Sequence, residues 1–409
     1  MKKTAVILPG QSSQYSKMGK ILHENYETVR KIFSEASECL GYDVFKLIDS
    51  GNMNEIMKAP KLQPAILVTT YSYYMLYKEI FNIEPVYIAG HSLGEITALA
   101  CAGVIDFKDA IEIAQMRGKF MQEVADEVGE GSMVAISEME IDEIKKLCTK
   151  YQEKNTPVYL ANMNSHDQYV VTGLKQDIIS FIDDVKVKGG KAIILRVNIP
   201  CHSPYMKQAA DKFAEKLKKY TFRKGTCKII SNVTGRPYEE GEDIVMLLAK
   251  QITNPVQWIK SMNYLADNDV EVVLEMGPGR ILNKMTQSIS EKYIVSSLDD
   301  PKDNQFSLNV FQSKKLFNRN YLIERMLGVA VSVKNNNYDE ESYKEGVVKP
   351  YNKIRKISDE LDDTGKTATT EDVESCAELL KGILVCKMVK EEEIITRLAQ
   401  LKKETLITF

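Results

Sequence analysis

Neither sign of charge dominates this sequence, since 54 Lys and Arg residues are balanced by 57 Asp and Glu residues and the formal net charge is -3 at pH 7. A chain without an excess of basic residues cannot hold a phosphate backbone strongly, so nucleic acid is not expected as a partner. Hydrophobic residues make up 44% and charged residues 27% of the 409 positions, which is typical of a globular protein and argues against disorder. At roughly 150 residues per domain, this length predicts two or three structural units.

No stretch of about 20 uncharged apolar residues occurs, so the sequence offers no candidate for a helix that crosses a bilayer, and no membrane partner is expected. The first residues, MKKTAVILPGQSSQ, contain too short an apolar segment for a signal peptide. We therefore expect a cytoplasmic protein.

Paired cysteines are also missing, because no Cys-x-x-Cys motif occurs and the number of cysteines is odd. This pattern argues against a disulfide framework and against a zinc site, so neither disulfides nor a bound metal is expected. We expect reduced thiols with mainly structural roles. The seven are Cys39, Cys101, Cys148, Cys201, Cys227, Cys376 and Cys386.

Strand and helix patterns alternate along most of the chain, which predicts an α/β fold with a parallel sheet and helices on both faces. In such folds the ligands bind at the carboxyl ends of the strands. The predicted core covers 1–127 and 199–300 and resembles an α/β-hydrolase. Its strand candidates are TAVIL (4–8), VYIAG (86–90), KIISNV (228–233) and VEVVLEMG (270–277), with the helix DIVMLLAKQI between the last two.

Between 128 and 198 the pattern changes to strand, helix, strand, strand, helix, strand. This order predicts a ferredoxin-like α+β subdomain inserted into the larger domain. The segments are SMVAIS, MEIDEIKKLCTKYQ, VYLANM, QYVVTG, LKQDIISFIDDVKVKG and KAIILRVNI.

The polar stretch SSLDDPKDNQF (296–306) is predicted to be a linker, and residues 301–409 to form a helical C-terminal extension. Apolar residues at spacings of three and four predict four helices there, with TTED (369–372) as the capping sequence of the third. The extension either packs as added structure or provides a docking surface for a synthase or a carrier protein.

The pentapeptide GHSLG (90–94) lies between a strand pattern and a helical pattern that Gly103 closes. A nucleophile elbow places its serine on a strained turn between a strand and a helix, and glycines two residues before and after it permit the tight turn. Ser92 is therefore predicted to be a nucleophile, the alternative being a serine that caps the helix.

A serine nucleophile needs a general base, and the chain has only four histidines. His91 adjoins Ser92, and its side chain is expected to point away from the serine hydroxyl. His23 lies in an early helical stretch and His166 in a loop of the subdomain. His202, in NIPCHSPYM where the chain returns to the main domain, is the best candidate, although a histidine in a turn can also be a hydrogen-bonded surface residue.

Two further features suit acyl transfer. The oxyanion of a tetrahedral intermediate needs donors, and the N–H of Leu93, the residue after the nucleophile, is the usual first one. Gln11 of PGQSSQ, which follows the first strand at the same edge of the sheet, is the candidate for the second, the alternative being a solvated glutamine in a turn. Arg117 lies in the helical sequence DAIEIAQMRGKFMQE, whose apolar face should be buried. It is either one half of a salt bridge or a bidentate partner for a substrate carboxylate.

Together, these residues and the motifs around them resemble malonyl-CoA:acyl carrier protein transacylases, including the stand-alone acyltransferases that serve polyketide synthases. The resemblance extends from residue 1 to about residue 300 and keeps the family's order of motifs. The motifs are LPGQSSQ, LQPAI, AGHSLGE, CAGVIDFKDA, MRGKFMQE, PCHSPYMKQAA, SNVTG, KQITNPVQW and EMGPG.

The resemblance implies a catalytic dyad of Ser92 and His202, in which the backbone carbonyl of Gln251 orients the imidazole instead of an aspartate. It also implies an oxyanion hole formed by the Leu93 N–H and by Gln11. Leucine after the serine is the pattern of malonyl-type members. No cofactor is implied, since malonyl-CoA is a substrate.

The resemblance further implies that Arg117 binds the malonyl carboxylate and that Gln63 lines the pocket. The sequence departs from the family pattern at three places. Ser12 replaces a glycine of GQGSQ, Cys201 stands before the base where the family usually has Ser or Phe, and the loop NSPGQ is NSHDQ (164–168).

We therefore predict an enzyme that transfers malonyl groups from malonyl-CoA to an acyl carrier protein, or to a carrier domain of a fatty acid or polyketide synthase, through an ester on Ser92. One alternative is an acyl-carrier-protein hydrolase of the same fold, but a buried guanidinium at Arg117 would be costly for uncharged acyl groups. The other is a non-catalytic scaffold that docks on a synthase, against which Ser92, His202, Gln11 and Arg117 all argue.

Overall fold

A parallel sheet organises the larger of the two units into which the chain divides. The computed structural model describes residues 3–409, and their contacts separate residues 3–308 from residues 309–409. The sheet has the strand order β7-β2-β1-β8-β9, and every neighbouring pair is parallel. Its strands are β1 (Lys3–Leu8), β2 (Tyr87–Gly90), β7 (Lys228–Ile230), β8 (Val270–Glu275) and β9 (Ile294–Ser297).

The central strand β1 is buried from Thr4 to Leu8, as expected for a parallel sheet covered on both faces. The predicted α/β class is confirmed. The predicted strands at 228–233 and 270–277 end earlier, at Ile230 and Glu275.

Helices cover both faces of this sheet and connect its parallel strands, which need crossover connections. A short 3₁₀ turn at Pro204–Met206 precedes α10. The helices of this unit are α1 (Lys20–Asn25), α2 (Glu27–Leu40), α3 (Val44–Asp49), α4 (Met53–Ile56), α5 (Ala59–Phe81), α6 (Leu93–Cys101), α7 (Phe107–Val128), α8 (Ile141–Glu153), α9 (Lys175–Val187), α10 (Lys207–Leu217), α11 (Ile244–Thr253), α12 (Trp258–Asp267) and α13 (Ile281–Gln287). Helix α14 (Phe306–Ser313) contains the boundary between the units.

A second, antiparallel sheet lies between α7 and α10 in the chain. Its order is β4-β5-β3-β6, and α8 and α9 pack on it through a shared apolar cluster that includes Val134, Ile144 and Phe181. This is the order of a ferredoxin-like fold, so the predicted α+β insertion is confirmed. The strands are β3 (Gly131–Ser137), β4 (Val158–Ser165), β5 (Gln168–Leu174) and β6 (Lys191–Ile194).

The predicted linker at 296–306 is wrong in its first part, because Ser296 and Ser297 belong to the edge strand β9, which pairs with β8. The next residues are also held in place. Asp299 is buried and accepts hydrogen bonds from the hydroxyls of Tyr15 (2.9 Å) and Tyr73 (3.0 Å). The polar composition of this stretch therefore reflects buried hydrogen bonding and not solvation alone.

The second unit, residues 309–409, is helical and has a core of its own. The predicted cap of its third helix is confirmed, because Thr369 and Asp372 each accept a hydrogen bond from the other's backbone N–H. Its helices are α15 (Arg319–Ser332), α16 (Glu340–Tyr343), α17 (Lys349–Thr364), α18 (Thr370–Cys386) and α19 (Glu391–Thr405), with a π-helical turn at Lys344–Val348. Core residues include Leu322, Met326, Ile354, Leu380 and Leu401.

None of the helices in residues 3–409 combines the length and the apolar character that crossing a bilayer requires. All seven cysteines are free thiols, and four of them are buried.

Candidate active site

Ser92 lies on a strained turn between β2 and α6, with φ 52° and ψ −108°. The two glycines of GHSLG are required by close backbone contacts. A Cβ on Gly90 would lie 1.9 Å from the carbonyl carbon of Gly94, and one on Gly94 would lie 2.2 Å from the carbonyl oxygen of Leu8. The turn therefore has the geometry of a nucleophile elbow, at the carboxyl ends of the strands.

His202 lies against the serine hydroxyl, with 2.9 Å between Ser92 Oγ and His202 Nε2. Its Nδ1 lies 2.7 Å from the carbonyl oxygen of Gln251. Because a carbonyl can only accept, Nδ1 carries the proton and Nε2 is free to accept the serine proton. Burial and the nearby Arg117 charge lower the pKa of His202 to about 3, so the imidazole is neutral at physiological pH.

Arg117 is 1% exposed and reaches the same serine. Its Nη2 donates to Ser92 Oγ (3.1 Å) and to Gln251 Oε1 (3.0 Å), and its Nη1 donates to Gln63 Oε1 (3.0 Å). Gly118 makes this possible, since a Cβ there would lie 2.4 Å from the carbonyl oxygen of Ala59 at the start of α5. Helices α5 and α7 therefore approach closely where they carry Gln63 and Arg117.

The guanidinium of Arg117 has no ionic partner, since no carboxylate in residues 3–409 forms an ion pair with it. Its Nε is buried and makes no hydrogen bond within those residues. Burial lowers the pKa of Arg117 to about 10, which still leaves it charged at neutral pH. The salt-bridge alternative therefore has no partner in the structure, and a buried charge is available for a ligand.

The loop that follows β1 brings Gln11 to the cleft, beside the start of α6, whose first residue is Leu93. A Cβ on Gly10 would lie 2.4 Å from the carbonyl oxygen of His91 and 3.4 Å from the Leu93 nitrogen, so this loop packs on the start of α6. The backbone N–H groups of Gln11 and Leu93 donate to no acceptor in the described part of the chain. Gln63 Nε2 donates to the side-chain oxygen of Gln11 at 3.3 Å.

Sequence reasoning missed a set of buried polar side chains behind the serine. Asn232 Oδ1 accepts the N–H of Ser92 (2.6 Å), and Asn232 Nδ2 donates to the carbonyl of Gly90 (2.6 Å). Glu95 is fully buried beneath them, and the Gln251 side chain links it to Ser92. The signals were that Asn232 and Glu95 lie in the motifs SNVTG and AGHSLGE, and that Glu95 is the one charged residue of the buried helix α6.

The cleft above Ser92 has a volume of about 230 Å³ and lies between the loops of the large sheet and the small antiparallel sheet. The hydrogen bond of His91 is to the cleft wall, where its Nε2 lies 2.9 Å from Asn164 Oδ1, and the serine hydroxyl contacts His202 instead. Asn164 in turn donates to Gln168 (3.1 Å), so the NSHDQ loop is hydrogen-bonded across its two ends.

The other two departures from the family pattern also lie at this cleft. Ser12 has φ 81°, a conformation that favours glycine, and Cys201 is buried beside the base. His23 and His166, the remaining histidines, do not line the cleft.

Residues 6–299 match the acyl transferase domain family. The chain is 32% identical over 405 residues to a malonyl CoA-acyl carrier protein transacylase of Bacillus subtilis, covering 98% of this chain and 99% of the relative. It is 39% identical over 302 residues to the enzyme of the same name from Escherichia coli K12, covering 74% of this chain and 97% of the relative.

Among solved structures, a malonyl-transacylase in complex with a type II polyketide acyl-carrier protein superposes with a TM-score of 0.71 at 34% identity. The aligned region covers 76% of this chain and 99% of the transacylase chain in that structure. The Bacillus subtilis alignment, in contrast, is long enough to include nearly all of the helical unit at 309–409. On this evidence the chain belongs to the malonyl CoA-acyl carrier protein transacylase family.

Proposed function

We propose that this protein transfers the malonyl group of malonyl-CoA to the phosphopantetheine thiol of an acyl carrier protein, through a malonyl ester on Ser92. The acceptor supplies extender units to fatty acid or polyketide synthesis. One observation carries the proposal: the hydroxyl that contacts the base His202 also contacts Arg117, a buried cation to which the described part of the chain offers no carboxylate partner. A cytoplasmic location, as expected from the sequence, forms part of the same proposal.

The length of a malonyl group suits this arrangement. Its carboxylate is one methylene away from the carbonyl carbon that Ser92 would attack, and Arg117 Nη2 is 3.1 Å from the attacking oxygen. A planar guanidinium can hold a carboxylate through two parallel hydrogen bonds. Gln63 and Gln251 accept from the two terminal nitrogens and so hold the guanidinium in place.

In the first half-reaction His202 Nε2 accepts the proton of Ser92 as Oγ attacks the thioester carbonyl. The resulting oxyanion accepts hydrogen bonds from the free N–H groups of Leu93 and Gln11. When the C–S bond breaks, His202 returns the proton to the sulfur and CoA leaves as a thiol. The carbonyl of Gln251 stabilises the imidazolium in between, because it accepts from Nδ1.

The second half-reaction repeats these steps with a different nucleophile. His202 removes the proton from the carrier's phosphopantetheine thiol, and the thiolate attacks the malonyl ester. The same oxyanion forms and collapses, the C–O bond to Ser92 breaks, and His202 protonates the departing Oγ. Both half-reactions thus use one base and one pair of donors, and the enzyme returns to its starting protonation state.

A hydrolase of uncharged acyl groups fits this pocket less well. Its substrate would place apolar atoms beside a buried guanidinium that has no carboxylate partner within residues 3–409, which costs free energy that the substrate does not offset. Arg117 therefore decides between the two readings, and it provides the test.

Replacing Arg117 by alanine is expected to lower the second-order rate constant for malonylation of Ser92 by roughly 30-fold to 1000-fold. A buried bidentate contact of this kind contributes about 2 to 4 kcal/mol, and each 1.4 kcal/mol is a factor of ten. Acetyl-CoA has no carboxylate, so acetylation should be spared or improved. Both rates can be followed by intact-protein mass spectrometry with the two donors in competition.

Arg117→Lys is the matched control, because it keeps the charge but loses the planar fork, and it should recover only part of the malonyl rate. Equal losses for malonyl-CoA and acetyl-CoA in Arg117→Ala would mean that the guanidinium is structural. The malonyl assignment would then lose its main chemical support.

A further inference from the structure

We infer that Glu95 is a positioning residue for malonyl selectivity, which holds Arg117 in its substrate-binding orientation through the side-chain amide of Gln251. The inference rests on the proposed malonyl transfer. Glu95 lies behind the nucleophile turn, on the first turn of α6, and does not line the cleft.

Both oxygens of the Glu95 carboxylate accept hydrogen bonds, and one of the donors is a backbone N–H, which can only donate. Oε1 accepts from the backbone N–H of Asn232 (3.2 Å) and from the hydroxyl of Tyr238 (2.5 Å). Oε2 accepts from Gln251 Nε2 (2.7 Å). The carboxyl is fully buried, and no Lys or Arg in residues 3–409 forms an ion pair with it. Burying a carboxylate without an ionic partner costs free energy. Its hydrogen-bond partners therefore indicate its role.

The partner that leads to the substrate is Gln251. Its Nε2 donates to Glu95 and also to the carbonyl oxygen of Ser92 (2.8 Å), which leaves its Oε1 facing Arg117 Nη2 (3.0 Å). If the amide were reversed, its NH₂ would face the guanidinium and its oxygen would face two acceptors. The carboxylate therefore helps to fix the amide orientation that gives Arg117 an acceptor.

When it is ionised, Glu95 also supplies a negative charge one amide away from Arg117. It acts to raise the pKa of the guanidinium, against the larger lowering caused by burial. Before substrate binds, this carboxylate is linked to Arg117 through the Gln251 amide. The malonyl carboxylate would thus enter a site whose cation is already oriented, which reduces the reorganisation that binding requires.

Glu95→Gln tests this role because a carboxamide has only one acceptor oxygen. In either orientation of the new amide, Asn232 N–H or Gln251 Nε2 faces another donor. We expect malonylation of Ser92 to fall about tenfold more than acetylation, that is, a loss of selectivity of one order of magnitude. Tyr238→Phe is the matched control: it removes a donor from the same carboxylate but leaves the oxygen that faces Gln251, so the malonyl-to-acetyl ratio should hold.

A double-mutant cycle with Arg117→Ala separates positioning from general stability. In the Arg117→Ala background, Glu95→Gln should leave the malonyl-to-acetyl ratio unchanged, because the guanidinium on which it acts is gone. If Glu95→Gln lowers both acylation rates by the same factor in both backgrounds, the residue is merely structural and the inference is overturned.

If Glu95→Gln does not fold, the same role can be tested in the wild-type protein by protonating Glu95 through a change of pH. Burial raises the pKa of Glu95 to about 7, whereas the pKa of Arg117 is about 10, that of His202 is about 3, and that of Tyr238 is raised well above its usual range. Between about pH 8.5 and 5.5 only Glu95 among these groups gains a proton, so the malonyl-to-acetyl ratio should fall with falling pH.

Arg117→Ala should abolish this pH dependence of the malonyl-to-acetyl ratio. A ratio that stays constant between these pH values in the wild-type protein would contradict the inference. The donors share the CoA moiety, so ionisation of its phosphates cancels in the ratio. Failure of the wild-type protein to be acylated by either donor would instead contradict the proposed function, which keeps the two conclusions separable.

Discussion

Ser92→Ala should form no covalent malonyl adduct, because the hydroxyl removed is the only atom that the proposed ester can use. The fold should persist, since the Ser92 N–H that donates to Asn232 Oδ1 belongs to the backbone. Incubation with malonyl-CoA followed by intact-protein mass spectrometry measures the adduct. Peptide mapping of the wild-type adduct should place it on the peptide that contains GHSLG.

Ser12→Gly is the matched control, because Ser12 is another hydroxyl at the same cleft and its φ of 81° suits glycine. This variant should be malonylated like the wild-type protein. A stable adduct on Ser92→Ala, or its loss from Ser12→Gly alone, would reassign the nucleophile.

His202→Ala should slow both half-reactions by about 100-fold to 10,000-fold, the range expected when a positioned acid and base is removed. Rapid-quench measurement of Ser92 malonylation gives the first rate. Transfer from the isolated malonyl-enzyme to a carrier protein gives the second. Both should fall by similar factors, because the same Nε2 handles the proton in each direction.

His166→Ala provides the control for this substitution, since His166 is an exposed histidine of the small subdomain and does not line the cleft. Its acylation rate should match that of the wild-type protein. An unchanged acylation rate in His202→Ala would remove His202 from the mechanism and leave Ser92 without an identified base.

Most of the architecture could be predicted because buried parallel strands and amphipathic helices leave strong local patterns. TAVIL and VYIAG are almost entirely apolar, and they lie in β1 and β2. Strand β9 could not be found in this way, since IVSS is only four residues long and is stabilised by pairing with β8, which no local pattern reveals.

The candidate site likewise contains residues that the sequence predicts and contacts that it does not. Ser92, His202 and Arg117 could be named because each is chemically unusual in its local setting. The contact between Glu95 and Gln251 could not, because it joins residues 156 positions apart and depends on burial that only the folded chain creates. Gln251 does not depart from its local pattern, and although Glu95 is the one charged residue of α6, nothing local identifies its partner.

The pairing of β1 has a consequence for how the chain is made. This central strand pairs with β2 from Ala5 opposite Tyr87 and with β8 from Lys3 opposite Val270. At roughly 5 to 20 residues per second, a ribosome needs many seconds to extend the chain from the first partner to the second. The antiparallel sheet at 131–194 is assembled from nearby segments and can form in that interval, whereas one edge of the apolar strand β1 stays unpaired until β8 emerges. Aggregation during synthesis is therefore a hazard of this topology, and it is greatest before residue 270 leaves the ribosome.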